Sequence, residues 1–268
     1  MDEPKVFGIV ALKGGVGKTT MVANLGAALA QEFNKKVLLI DANFSTPHLG
    51  LHVGVINPEY HLHPALNDEY SIYESIYQHP LGFHIIPGKL APTEVNMHAL
   101  KEKIEPLKEI YDVILIDSSP ALNQEMASAI NAADEIIVVS SPDYPTLSST
   151  LHAIRVAQEQ NTPIKGIVLN KVRKKKFELC KKDIAKASEV DVLASIPENI
   201  KALASLSKMV PVVSYSPAQD ISKSLKELAR KIIGEKKKSK FAKLKEKITK
   251  SKKKEKKKST KSKSKKKK

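Results

Sequence analysis

The chain has 268 residues, of which 41% are hydrophobic, and a formal net charge of +16. This length and hydrophobic content suffice for one sizeable domain with a buried core. The one cysteine, Cys180, excludes a disulfide framework and a cysteine-built metal or iron–sulfur site within one chain. No uninterrupted apolar run approaches a membrane span, and the polar N-terminus gives no sign of a signal peptide. We therefore expect a protein of the reducing cytoplasm.

The positive charge is concentrated at the C-terminal end. Residues 235–268 contain 20 lysines and 3 glutamates, a net charge of +17. The other 234 residues contain 25 basic and 26 acidic side chains. This asymmetry predicts a nearly neutral folded domain over residues 1–234 and a lysine-rich tail over residues 235–268 that binds an anionic partner.

Hydrophobic periodicity and turn residues predict strands and helices that alternate along the chain. Strands are predicted at residues 6–12, 36–40, 83–86, 112–116, 135–139, 164–169 and 190–196. Helices are predicted at residues 20–32, 96–110 with an interruption at Pro106, 124–132, 146–160, 177–187, 200–209 and 218–233. Residues 42–51 have the composition of a loop, and residues 55–82 are predicted to be irregular, with a short helix at 71–78.

Several predicted strands are apolar throughout, which is typical of a parallel sheet covered on both faces by helices. We therefore predict an α/β fold with a mostly parallel sheet. Polar residues follow five of the strands, at residues 13–20, 41, 117, 140–143 and 170–171. Because ligands of such sheets bind at the carboxyl ends of the strands, we expect these residues at one edge of the sheet. A purely structural role explains each polar strand end by itself, because a strand must end in polar residues. It accounts poorly for all five of them together.

The first polar site is a glycine-rich loop between a predicted strand and a predicted helix. Its sequence is Lys13-Gly14-Gly15-Val16-Gly17-Lys18-Thr19-Thr20. The glycines allow a tight turn in which backbone N–H groups and the positive end of the helix surround a phosphate. Lys18 then reaches the β- and γ-phosphates, and the Thr19 hydroxyl binds a magnesium ion. The loop predicts a site for a nucleoside triphosphate with Mg²⁺; the alternative is a turn that binds nothing.

A second site lies at Asp117, which ends the apolar run at residues 113–116 and precedes Ser118-Ser119-Pro120. An acid in this position can accept a hydrogen bond from magnesium-bound water. The alternative is a carboxylate that caps the following helix. The two roles are compatible.

The phosphate loop has an additional lysine, Lys13, and Leu12 stands where the generic pattern requires glycine. In this it resembles the deviant phosphate loop of the MinD/ParA family of ATPases, and the resemblance extends over nearly all of residues 4–233. Residues 41–52 are similar to the switch segment of the MinD side of the family, although His48 replaces an asparagine of that pattern. The paired cysteines that the family's iron–sulfur branches need are missing from this sequence.

The resemblance implies an ATPase that converts ATP and water to ADP and phosphate. It also implies that ATP is held between two chains, with Lys13 reaching the phosphates of the opposing subunit. Asp41 belongs to the switch segment that senses the γ-phosphate, and we expect it at the magnesium with Thr19 and with Asp117, the last through water. The expected catalytic residues are Lys13, Lys18, Asp41 and Asn43.

Asn43 departs from the family pattern, in which an acid at this position places the attacking water. An amide can bind that water but cannot accept its proton, so we expect slow hydrolysis. Asn170 matches the family asparagine that reads the adenine edge, with a simple turn residue as the alternative. The expected nucleotide-binding residues are Gly14, Gly15, Val16, Gly17, Lys18, Thr19, Thr20, Asn170, Pro197 and Glu198.

Within the tail, Phe241, Leu244 and Ile248 form a narrow apolar stripe in the segment 240–249. Bacterial MinD proteins, which this chain resembles, end in a short amphipathic membrane helix, and lysines add attraction to anionic lipid. The prediction is an ATP-dependent homodimer, peripheral at the inner face of the cell membrane, which positions a regulatory or cargo protein of cell division or surface machinery. The alternatives are a DNA-partitioning ATPase that binds nucleic acid through its tail and residues 171–176, and a disordered solubilising tail.

Overall fold

The computed structural model describes residues 3–90 and 94–236. The chain separates into two units, residues 1–232 and 233–268, and the fold described below is that of the first. The predicted domain boundary after residue 234 remains a prediction, and the predicted amphipathic segment 240–249 lies outside the described residues. Among the helices of the described part, none is long and apolar enough to cross a membrane.

Eight strands of the described residues form one sheet. They are β1 (Lys5–Val10), β2 (Val37–Ala42), β3 (Tyr77–Gln78), β4 (His84–Ile86), β5 (Val113–Ser118), β6 (Glu135–Ser140), β7 (Ile164–Val172) and β8 (Val192–Pro197). Their order across the sheet is β3-β4-β2-β5-β1-β6-β7-β8. The β3–β4 pair is antiparallel and the other neighbouring pairs are parallel. The predicted mostly parallel α/β sheet is therefore confirmed.

The α-helices of the described residues cover both faces of this sheet. They are α1 (Lys18–Phe33), α2 (Leu49–His52), α3 (Leu62–Leu66), α4 (Leu100–Ile104), α5 (Gln124–Asn131), α6 (Tyr144–Glu159), α7 (Lys181–Ser188), α8 (Ile200–Leu206), α9 (Val212–Tyr215) and α10 (Asp220–Ile232). In β2, Leu39 packs against Gly26 of α1, whereas Leu38 and Ile40 share a buried cluster with Leu100 of α4. Each such side chain stabilises the fold by about 1.5–3 kcal/mol on full burial.

Three predicted segments differ from the structure between β2 and β4. The predicted loop at 42–51 contains the beginning of α2, and the irregular stretch 55–82 contains α3 and β3. The predicted helix at 71–78 is wrong beyond Ser75. A capping box between Ser71 and Glu74 supports one 3₁₀ turn, Ile72–Ser75, after which Tyr77 and Gln78 pair with β4.

Several predicted helices have different bounds in the structure; for example, the helix predicted at 200–209 ends at Leu206. The first begins at Lys18 rather than at residue 20, directly after the left-handed Gly17. Only α4 is α-helical within residues 96–110, because 3₁₀ turns at Met97–Ala99 and Glu105–Glu109 flank it, the second with Pro106 in its first turn. The helix predicted at 177–187 begins at Lys181, because the Glu178 carboxylate closes a turn before it.

Candidate active site

A cleft of about 840 Å³ opens at the carboxyl edge of the parallel strands. The predicted residues that line it are Gly14, Gly15, Gly17, Lys18, Thr19, Thr20, Asn43, Asn170, Pro197 and Glu198. Val16, Asp41 and Asp117 are predicted site residues that are buried instead of lining the cleft. Lys13 also lies outside the cleft lining.

The turn into α1 requires glycine at position 17. Gly17 has a φ of +100° and is the residue directly before the helix. A Cβ at this position would lie 2.3 Å from Nδ2 of Asn170. Conformation and space therefore both exclude a larger side chain. The result is a helix N-terminus whose free N–H groups and positive dipole end meet the cleft, which suits a phosphate.

The end of β7 holds the phosphate loop by two side chains. Asn170 Nδ2 donates to the carbonyl oxygen of Val16 at 2.7 Å, and Lys171 Nζ donates to that of Gly15 at 2.6 Å. Two residues further along, Arg173 pairs with both carboxylate oxygens of Glu198, with Nη2 at 3.0 Å from Oε1. The loops at the ends of β7 and β8 are thus tied to each other and to the phosphate loop.

Two acids lie side by side at the ends of β2 and β5. Asp41 and Asp117 are partners in the parallel register, and their exposed fractions are 1% and 0%. Asp41 accepts hydrogen bonds from the backbone N–H groups of Leu49 at 2.8 Å and Asn43 at 3.4 Å. Neither carboxylate oxygen of Asp117 has a hydrogen-bond partner in the described part of the chain. A buried pair of this kind is costly unless a cation joins it.

Burial shifts the ionisation of all three charged groups at this edge. It raises the pKa of Asp117 to about 6, with Thr19 and Lys18 acting in the opposite direction, although the Thr19 hydroxyl is outside hydrogen-bond geometry. Burial, and then the charge of Asp117, raise the pKa of Asp41 well above its usual value. Burial lowers the pKa of Lys18 against the influence of Asp117. Perturbed pKa values of this kind are typical of functional sites.

The first residues of the segment after β2 are held by side-chain hydrogen bonds. The Asn43 side chain donates to the Thr46 carbonyl at 2.5 Å and accepts from the Thr46 hydroxyl at 3.2 Å. The Ser45 hydroxyl bonds to Glu125 of α5, whose Oε2 also accepts from the Ser45 N–H at 3.3 Å. The segment that contains Asn43 is therefore connected to the helix that follows Asp117.

Lys13 is held at the first turn of α6. Its Nζ donates to Thr146 Oγ1 at 2.8 Å and lies 3.4 Å from Asp143 Oδ1, and its side chain stays 44% exposed. Burial acts to raise the pKa of Asp143, but hydrogen bonds from Ser141 and Thr146 outweigh it and lower this pKa to about 2. Asp143 also caps α6 by accepting from the Thr146 N–H at 2.9 Å.

Some residues of the cleft were not predicted to bind nucleotide. Lys171 was predicted to lie at the polar edge of the sheet and in the basic segment 171–176, but it was not among the predicted nucleotide-binding residues, although it directly follows Asn170. The wall formed by α8 was also missed, and it consists of Ile200, Leu203 and Leu206, with Ile200 72% and Leu203 65% exposed. Their spacing resembles that of an ordinary core-facing stripe. Their position in the helix that begins two residues after Glu198 is the sequence signal that could have identified them.

Comparison with known proteins gives matches along most of the chain. The family model of the AAA domain matches residues 4–166, and that of 4Fe-4S iron sulfur cluster binding proteins of the NifH/frxC family matches residues 90–254. An ATP-binding protein of Methanocaldococcus jannaschii is 34% identical over 89% of this chain and 91% of its own length. The septum site-determining protein MinD of Thermotoga maritima is 28% identical over 86% of this chain and 88% of its own.

A solved structure shares the fold. MinD of Pyrococcus horikoshii, complexed with Mg-ADP, superposes with a TM-score of 0.82 at 29% identity, over 85% of this chain and 96% of that one. The parallel sheet, the phosphate loop and the adjacent acids define a P-loop nucleotide-binding protein. The chain belongs to the MinD/ParA family of P-loop ATPases. With a single cysteine, it lacks the ligands for a cluster of the NifH type.

Proposed function

We propose that this chain is a slow ATPase that ATP joins into a homodimer, and whose basic tail holds it at the inner, anionic face of the cell membrane. There it positions a regulatory or cargo protein of cell division or surface machinery. The observation that favours this function most is the place of Lys13, beside the cleft but outside its lining.

The nucleotide proposed for the cleft is ATP. Residues 14–20 would surround its phosphates, with Lys18 at the β- and γ-phosphates, and Asn170, Pro197 and Glu198 would lie at the adenine. The apolar wall of α8 offers a surface against which a base can pack. The Pyrococcus horikoshii relative, which was solved with Mg-ADP, supports this assignment.

Magnesium fits the two buried acids. The carboxylates of Asp41 and Asp117 and the Thr19 hydroxyl are the hard oxygen donors that Mg²⁺ prefers. The unpartnered oxygens of Asp117 are the observation that favours a cation here. No group of three His, Cys, Asp or Glu side chains in the described ranges could hold a metal alone, so phosphate oxygens and water must complete the coordination. Bound magnesium would neutralise charge on the β- and γ-phosphates.

A second chain is proposed because Lys13 has no role in its own cleft. Its contacts with Thr146 and Asp143 hold it at α6, away from the lining that contains Lys18. An ion pair this exposed contributes only about 0–1 kcal/mol, so its release costs little compared with a contact to triphosphate. A lysine has a long, flexible side chain, so Lys13 at the edge of the cleft is suited to reach the phosphates of a facing chain.

Membrane attachment is proposed from the charge of the tail. Each lysine near an anionic membrane contributes about 1 kcal/mol before saturation, and residues 235–268 contain 20 lysines. Two tails in one dimer bind more strongly than one, because the second binding event is intramolecular. ATP would thereby control attachment through dimerisation.

Vesicle binding separates this function from DNA partitioning. The full chain is mixed with anionic vesicles or with non-specific duplex DNA, with and without ATP. We expect ATP to strengthen vesicle binding of the wild type, and the combined change Phe241→Asp, Leu244→Asp and Ile248→Asp to weaken it by about tenfold or more. The matched control, Ser239→Asp, Ala242→Asp and Thr249→Asp, adds the same charge but preserves the apolar stripe. DNA binding that exceeds vesicle binding, with equal loss in both variants, would favour the DNA-partitioning function instead.

A further inference from the structure

A basic loop connects β7 to α7 at the edge of the cleft. We define it as residues 173–182, which contain six basic side chains and one acidic side chain. Lys174, Lys175, Lys176, Lys181 and Lys182 are all exposed, and none of them makes an ion pair within residues 3–90 and 94–236. Lysines at the start of a helix are also opposed by its dipole, so Lys181 and Lys182 are not explained by the stability of α7.

The basic loop is folded by its own acidic residue. Glu178 accepts hydrogen bonds from the backbone N–H groups of Arg173 at 2.8 Å and Lys175 at 3.1 Å. The Leu179 N–H donates to the Pro142 carbonyl at 3.0 Å, which fixes the loop to the neighbouring strand end. Glu178, the one acid of the basic loop, therefore binds backbone N–H groups, and the lysine charges remain exposed to solvent.

Phe177 lies in the middle of these lysines. At 76% exposure it is the most exposed large hydrophobic side chain in the described part of the chain. A large apolar ring exposed among lysines has the composition of a surface that contacts the boundary between lipid headgroups and acyl chains. The hydrogen bonds of Glu178, its neighbour in sequence, fix the backbone that presents the ring.

One aromatic ring among lysines fits an anionic lipid surface. Lysines bind headgroup phosphates as point charges, and an aromatic ring enters the boundary between headgroups and acyl chains. We propose that the basic loop is a second membrane contact, formed by the folded domain itself, in which Phe177 inserts and the five lysines bind anionic headgroups. Duplex DNA would contact the lysines through its phosphates but offers no apolar surroundings for the Phe177 ring. Arg173, the residue best suited to nucleic acid, is already paired with Glu198.

This contact would be linked to the nucleotide. It rests on the proposed function at an anionic membrane, and it adds that the membrane touches the edge of the cleft. Glu198, which lines the cleft, pairs with Arg173 at the start of the basic loop, and its N–H donates to the Val172 carbonyl at 3.0 Å. Lipid contact and nucleotide occupancy can therefore influence each other through one short segment.

The chain contains no tryptophan, so Phe177→Trp introduces a single fluorescent reporter in the basic loop. The full-length variant with MgATP is mixed with vesicles of phosphatidylcholine and phosphatidylglycerol, some with brominated acyl chains. We expect a blue-shifted emission that the brominated lipid quenches, and no change with phosphatidylcholine alone. The control Tyr73→Trp, at a residue 48% exposed and beside Glu74, should show neither effect.

A second variant tests the charges. Lys174→Gln, Lys175→Gln and Lys176→Gln together should weaken vesicle binding of the full chain by about tenfold or more. If Phe177→Trp sediments with vesicles but its emission does not change, the second contact is refuted and the tail remains the attachment. If the emission of Phe177→Trp changes with duplex DNA but not with vesicles, the membrane contact is also refuted, in favour of nucleic acid. A wild-type chain that binds no anionic vesicle contradicts the proposed function, and this contact with it.

Discussion

Asp117 combines complete burial with carboxylate oxygens that have no hydrogen-bond partner among the described residues. Burial raises its pKa from 3.8 to about 6, so the folded chain binds this proton more tightly than the unfolded chain. The resulting stability is fully present below the unfolded pKa and is lost as pH rises through about 6. At neutral pH, Asp117 is therefore destabilising until a cation joins it.

Asp117→Asn should accordingly stabilise the chain when neither nucleotide nor magnesium is added. We expect a gain of about 1–3 kcal/mol at neutral pH, measured by urea unfolding, and little gain near pH 4. The same variant should lose the extra stability that MgATP gives the wild type. An Asn variant no more stable than the wild type at neutral pH would show that the carboxylate is not strained.

Asn43 determines the expected rate of hydrolysis. Its side-chain amide donates one hydrogen bond to Thr46 and accepts another from it. An amide cannot accept a proton from water. Asn43→Asp should raise the single-turnover rate of ATP hydrolysis by roughly tenfold or more, because a carboxylate can act as general base. Asn43→Ala serves as the control and should be slower than both. An unchanged rate in the Asp variant would mean that another residue places the water.

At the scale of elements, the unit formed by β1, the phosphate loop and α1 depends on Gly17. Gly17→Ala requires a left-handed alanine and displaces Asn170, so we expect a loss of about 1–2 kcal/mol in unfolding free energy and weak ATP binding. Gly14→Ala is the matched control, since a Cβ there meets nothing within 4 Å. Equal stability losses in the two variants would contradict this explanation.

The elements best predicted from sequence are those whose signal is local. The strand at 113–116 is apolar throughout, and the motif of residues 13–20 identifies its own loop and helix. By contrast, α2 was missed because its first N–H is fixed by Asp41, eight residues away. β3 was missed because two residues form a strand only by pairing with β4.

The same contrast between local sequence signals and contacts of distant residues holds for the site. Ten predicted residues line the cleft because a parallel sheet brings strand ends together. The role of Lys171 depends on a hydrogen bond to Gly15, 156 positions earlier in the chain, which no local pattern records. The α8 wall was missed because its apolar spacing does not show which face the fold leaves exposed.

At the scale of the whole molecule, the charge is divided between a neutral folded unit and a polycationic tail. A single tail and the basic loop each attract anionic lipid, and a dimer presents both features twice. The fraction of protein bound to the membrane would then rise steeply with the fraction of dimer. Slow hydrolysis at Asn43 would prolong the attached state.

Lys13 is proposed to join two chains when ATP is bound, and the mass of the full-length protein in solution measures whether it does. With MgATP, the wild type should double in mass, whereas Lys13→Ala should stay monomeric yet still bind ATP through Lys18. Thr146→Val, which removes a partner of Lys13 but keeps the lysine, should still dimerise. A wild type that stays monomeric with ATP bound, or a Lys13→Ala variant that dimerises equally well, would contradict the claim.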